Sequence, residues 1–201
     1  MKTIKLVDRV LPTYTKGVVF SAIHHNIYAV ISSIIYGITM IVLYTMSSIY
    51  HGLKSKGKAK KVFQVLDHCS IFLLIAGSYT PFCLVTFREY NPTLGWTILG
   101  IIWGIAILGI VLNSIDLKRY RVFSMICYLG MGWCIIFTAN LLPSLLGVPG
   151  VVLLVAGGIV YTLGAILYGM GKKKKYMHSL FHLFILLGSI LQFFCILLYV
   201  I

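Results

Sequence analysis

The sequence predicts an all-α protein, a polytopic transmembrane helix bundle of six spans. Three observations carry that prediction. The 201 residues are 60% hydrophobic and only 10% charged, where an ordinary soluble domain has about 25% charged residues. The mean hydropathy is +0.98. The apolar residues also fall into six runs of about the ~20 residues a membrane helix needs, and the segments between them alternate between strongly basic and nearly uncharged.

In chain order, residues 1–17 carry Lys2, Lys5, Asp8, Arg9, Pro12 and Lys16 and read as a polar basic tail. Residues 18–201 read as a single transmembrane helical domain. No continuous apolar stretch precedes Gly17, so no cleavable signal peptide is expected. His24 and His25 stand side by side before the first span, point in different directions on a helix, and are expected at the interface. The first span runs from about Ile27 to Tyr50 and ends in Ser47-Ser48-Ile49-Tyr50-His51. A loop with Lys54, Lys56, Lys58, Lys60 and Lys61 leads to the second span, about Val62 to Phe87, which opens with Asp67-His68-Cys69-Ser70. Pro81 in its far half should bend the helix or free carbonyls that neighbouring hydroxyls satisfy.

A turn from Arg88 to Pro92 precedes the third span, about Leu94 to Asn113, where Gly100 and Gly104 make a small-xxx-small pair expected to pack against another helix. Asp116, Lys118, Arg119 and Arg121 form the next loop. The fourth span covers about Val122 to Leu142, and the connection Pro143 to Pro149 carries no charge. The fifth span, about Val151 to Met170, is rich in glycine. Lys172-Lys173-Lys174-Lys175 then precede the sixth, about His178 to Ile201.

The basic loops follow spans one, three and five, so the positive-inside rule places them in the cytoplasm and the C-terminus outside. A multi-pass plasma-membrane protein is the expectation. The formal net charge of +13 resides largely in these loops, where it sets topology and meets anionic headgroups. Membrane lipids are therefore the expected partners and nucleic acid is not, while self-association into a homo-oligomer stays open. Cys69, Cys83, Cys127, Cys134 and Cys195 all lie in apolar runs, odd in number and without a Cys-x-x-Cys, which argues against a disulfide framework or a thiolate metal site.

That topology gathers scattered residues. His51 ends span one at the cytoplasmic side, Asp67 and His68 begin span two there, and His178 and His182 begin span six there. Residues i and i+4 share one helix face, so the last two imidazoles can point at one place. Ionisable side chains inside a membrane are costly and by default functional. Three imidazoles and a carboxylate have the composition of a catalytic zinc site with an open position. Asp67 could act as a base toward a water at the metal, or pair with Lys60, Lys61 or a histidine. Ser47, one turn deeper than His51 on the same face, could hydrogen-bond that water or only its own i−4 carbonyl. His68 faces away from its neighbour Asp67 and is not expected among the ligands.

Three stretches resemble the hemolysin III family of bacterial membrane proteins, relatives of the progestin and adipoQ receptors and of alkaline ceramidases. They are Ser47-Ser48-Ile49-Tyr50-His51; the block from Asp67-His68-Cys69-Ser70 through Gly77-Ser78-Tyr79-Thr80-Pro81-Phe82; and His178-Ser179-Leu180-Phe181-His182. The resemblance runs from about Tyr28 to the C-terminus. It implies a seven-helix bundle with zinc near the cytoplasmic face, held by His51, His178 and His182, with Asp67 and Ser47 as the catalytic pair. Against that pattern the chain reads as a form lacking the family's first helix.

The function expected on that basis is a metal-dependent hydrolase of a lipid amide or ester. The alternatives are a non-enzymatic membrane homeostasis or sensor protein with structural zinc, and a cytolytic protein of the kind the family name suggests. No nucleophile elbow, phosphate loop or soluble catalytic domain points to any other chemistry.

Overall fold

The computed structural model describes residues 26–53, 57–170 and 177–201, with backbone alone at 170 and 177–179. The basic tail, His24, His25, Lys54, Lys56 and Lys172 to Lys175 therefore lie outside the described residues. Among the described residues the regular elements are helices without strands, and six helices are long and apolar enough to cross a membrane. This is the outcome lipid dictates, because backbone N–H and C=O groups there find partners only within the helix itself. The helices fall into two compact units divided after Ser124.

In the first unit, α1 (Ile27–Gly52) starts at Asn26, whose Oδ1 accepts from Ala29 N at 3.1 Å, a side-chain cap for a donor the helix leaves unpaired. Helix α2 runs unbroken from Lys58 to Tyr90, beginning a turn before the apolar run and absorbing the turn expected after Phe87. It changes character midway. Pro81 brings no N–H to the ladder, and Phe82–Phe87 continue in the wider π pattern. The neighbouring hydroxyls do satisfy carbonyls here: Ser78 donates to Ile75 O and Thr80 to Ala76 O, both at 2.8 Å. At the end of the π segment Arg88 N–H reaches the carbonyls of Cys83 and Val85, and the Leu84 carbonyl between them accepts from Arg88 Nε at 2.7 Å.

Helix α3 (Pro92–Asp116) starts with Pro at its first position, which suits a residue without an N–H. Asn91 Oδ1 accepts from Thr93 N and Leu94 N. At its other end Asp116 Oδ1 accepts from Lys118 N at 3.0 Å and Arg119 N at 3.1 Å, which folds the turn into α4.

Helix α2 packs against both α1 and α3. A Cβ on Gly77 would stand 2.9 Å from Thr39 Cβ, and one on Gly109 would run into the Phe72 ring, so glycine lets each helix pair approach closely. Trp103 Nε1 donates to Thr80 Oγ1 at 3.2 Å across the α2–α3 contact. The packing glycines of α3 are thus not the expected ones. Gly100 and Gly104 lie on its exposed face, and among the described residues a Cβ on either would meet nothing within 4 Å.

Helix α4 (Arg121–Thr138) is α-helical to Trp133 and tightens to a 3-10 turn over Cys134–Thr138. It ends short of the expected Leu142, which instead opens α5 (Leu142–Met170). Gly147 interrupts α5 at φ 67° and ψ 165°, a conformation only glycine adopts freely. In the second unit, α5 packs along α6 (Met177–Tyr199). Their seam is polar: Tyr161 OH meets Ser189 Oγ at 2.8 Å, Gln192 Nε2 donates to Leu154 O at 3.1 Å, and Cys195 Sγ donates to Gly150 O at 3.3 Å. Trp133 Nε1 donates to Thr162 Oγ1 at 3.0 Å and ties α4 to α5. All five cysteines are free thiols.

Candidate functional site

The end of the first unit where α1 stops and α2 begins carries three of the expected residues. His51 is the penultimate residue of α1 and is exposed. Its ring meets Tyr50 edge-on, centroids 4.7 Å apart. Asp67, on the third turn of α2, is only 8% exposed. Asp67 and Lys60 both lie within electrostatic reach of His51. Ser47 is half-buried on α1. Ser32, Ser70 and Ser78 bond carbonyls of their own helices; among the described residues Ser47 has no such bond.

Lys60 holds this end together. Its Nζ donates to Leu53 O at 2.6 Å, just past the end of α1, and stands 5.4 Å from the centroid of Tyr50. A cation there also complements the negative end of the α1 dipole. Sequence reasoning placed Lys60 in a loop as a topology charge and missed this tie, because a lysine in a basic loop gives no sign of which carbonyl it will reach. His68 bonds the Gln64 carbonyl of its own helix through Nδ1 at 2.8 Å.

The remaining imidazoles belong to α6. The backbone of His178 lies in the first turn of that helix, and its side chain lies outside the described residues. His182 is half-buried, its ring 5.0 Å from that of Phe181, which in turn lies 5.1 Å from Tyr168. Among the described residues no group of three His, Cys, Asp or Glu gathers as a metal site.

The donor chemistry of the first unit nevertheless suits a divalent metal. A neutral imidazole and a carboxylate are zinc ligand or supporting types, and Asp67 is a buried acid within electrostatic reach of the exposed His51. A buried carboxylate in a membrane helix is costly unless a cation or a proton compensates it.

A family model described as Haemolysin-III related matches residues 10–193. The match begins well upstream of Tyr28, where the motifs had suggested the resemblance starts. The chain is 42% identical over 190 residues to Hemolysin-3 of Bacillus cereus, covering 94% of this chain and 84% of that protein. It is 38% identical over 189 residues to a Hemolysin-3 homolog of Bacillus subtilis (strain 168), covering 94% and 86%. A more distant relative is the Monocyte to macrophage differentiation factor of Homo sapiens, 26% identical over 188 residues and covering 90% and 76%. No solved structure matches the chain.

Proposed function

The chain belongs to the Haemolysin-III related family of multi-pass membrane proteins, and from that premise we propose that it is a zinc-dependent hydrolase of a membrane lipid amide or ester, working near the cytoplasmic face of the plasma membrane. The observation that carries this reading is the buried Asp67 in the electrostatic neighbourhood of His51. His51, His178 and His182 would hold the zinc, a ligand set that rests on the motif resemblance and on the donor chemistry. When bound, zinc supplies Lewis-acid polarisation of a carbonyl and activation of water at neutral pH.

The residues themselves supply the rest. Asp67, kept from bulk water, takes a proton at its carboxylate and returns it to the leaving group. Ser47 offers a hydroxyl on the face of α1 that also carries His51, one turn deeper, where it orients the reacting carbonyl. Lys60 fixes the end of α1 and so the position of His51. The basic loops, cytoplasmic by the positive-inside rule, put this chemistry at the inner leaflet.

The test is purified protein in lipid, wild type beside His182→Ala and His178→Ala, read for bound metal and for fatty acid released from a lipid panel. Zinc in the wild type, with turnover lost in both variants, is the expected result. Equal turnover in all three, or a metal-free wild type, overturns the proposal. Metal bound without turnover, its loss lowering thermal stability, would point to the non-enzymatic reading. The name of the Bacillus cereus relative favours a further reading as a cytolysin, tested by conductance in synthetic bilayers against a denatured control.

A further inference from the structure

The connection between α4 and α5 differs from the others in charge. From Val122 to Gly171 the sequence has no charged residue and no histidine. Arg88 and Glu89 stand in the last turn of α2, just before the α2–α3 connection, and the α3–α4 turn carries Lys118 and Arg119. Helix geometry adds a constraint. The 13 α-helical residues of α4 and the 5 in its 3-10 turn together span about 30 Å, roughly the thickness of the hydrocarbon core. With Arg121 at one surface, Thr138 only just reaches the other boundary, and nothing in the next residues draws the chain into water.

The connection is also built to do without water. Ala139 N donates to Ile136 O at 3.0 Å, Leu141 N to Thr138 O at 2.9 Å, and Leu145 N to Leu141 O at 3.1 Å. The hydroxyls of Thr138 and Ser144 donate to Ile135 O and Leu141 O, both at 2.8 Å. Leu142 and Leu146 turn inward, while Phe137 is 90% exposed, Val148 69% and Ile136 55%. A water-exposed loop has no use for a bare phenylalanine flanked by bare aliphatics; a lipid boundary does.

We propose that residues 136–148 form an interfacial hairpin seated in the headgroup–acyl boundary of one leaflet, with Ile136, Phe137 and Val148 among the lipid chains. Asn140 and Ser144, both exposed, face the headgroups. Gly147, at φ 67°, kinks α5 and separates its first turns, seated in this layer, from the stretch that crosses the core.

Spin labels at Phe137→Cys and Val148→Cys test this, in full-length protein whose native cysteines are replaced by serine or alanine, reconstituted into phosphatidylethanolamine–phosphatidylglycerol vesicles. Glu89→Cys is the water-facing control. Labels at 137 and 148 should relax strongly with oxygen and weakly with a water-soluble nickel chelate, with the reverse at 89. Nickel accessibility at 137 and 148 equal to that at 89 overturns the proposal. So does dipolar broadening between copies with neither reagent reaching the label, which would mean that a second chain covers the hairpin. Should the cysteine replacements fail to fold, Phe137→Trp in the native background gives the second reading. Brominated acyl chains should quench its added fluorescence at least twofold more than aqueous iodide does, and the opposite order overturns the proposal.

Discussion

The guanidinium of Arg88, at the end of α2, lies 3.6 Å from the centroid of the Tyr28 ring near the start of α1, while its Nε donates to Leu84 O at 2.7 Å. One side chain thus stacks on a neighbouring helix and bonds a carbonyl of its own π segment. The planar guanidinium does both at once, which a lysine ammonium cannot. Arg88→Lys should lower stability by about 1 kcal/mol and Arg88→Ala by about 2 kcal/mol, from the cation–π contact and the charge-assisted hydrogen bond. Thermal unfolding in detergent reads both. An Arg88→Lys variant as stable as the wild type would remove the stacking from the account.

The approach of α1 to α2 rests on Gly77 against Thr39. Gly77→Ala should destabilise by about 1–3 kcal/mol through overpacking. Thr39→Gly removes the atom the new methyl meets, so the double variant should recover part of the loss. A double-mutant cycle measured by unfolding is the check, and simple additivity would count against the contact.

Across the α2–α3 contact, Thr80 accepts from Trp103 at 3.2 Å while donating to Ala76 O at 2.8 Å. Thr80→Val keeps the shape and removes both bonds. Interhelical hydrogen bonds in membranes average about 0.6 kcal/mol, so the expected loss is small and shared with Trp103→Phe. Measured in combination, the two substitutions should cost less than their sum.

The proposed chemistry makes Asp67→Asn the sharpest single substitution. The amide is nearly isosteric with the acid and cannot carry the proton, so turnover of a lipid substrate should fall by about 10²-fold or more. Metal content, carried by imidazoles, should stay at the wild-type level. A fall in metal content matching the fall in turnover would show instead that Asp67 supports the ligands.

Gly147 holds φ 67° and ψ 165° between two helical stretches. Gly147→Ala places a Cβ where L-residues rarely go and should cost about 1–3 kcal/mol. The space around it is open, with Pro149 Cδ at 3.8 Å from the added atom, so the penalty is backbone strain. Gly100→Ala, on the exposed face of α3, is the control and should be neutral or slightly stabilising on helix propensity. Both are read by thermal unfolding in lipid nanodiscs.

Six spans, their approximate limits and the motifs that mark the family were all legible in the sequence, because insertion into lipid depends on composition over about 20 residues and little else. Which faces meet was not. In lipid both the packed and the lipid-facing sides of a helix are apolar, so the periodicity that betrays the core side of a soluble helix is largely absent. That is why Gly100 and Gly104 read as a packing motif and lie on the exposed face, while Gly77 and Gly109 carry the close contacts. His51 closes α1 and Asp67 lies on the third turn of α2, and that both belong to the joined end of this helix pair follows from chain order alone. The tie from Lys60 to Leu53 O, the stacking of Arg88 on Tyr28 and the π turn after Pro81 were decided only by tertiary structure. Each depends on how far one helix has rotated and slid against its neighbour, and that is settled by side-chain fit after the lipid has already fixed the depth.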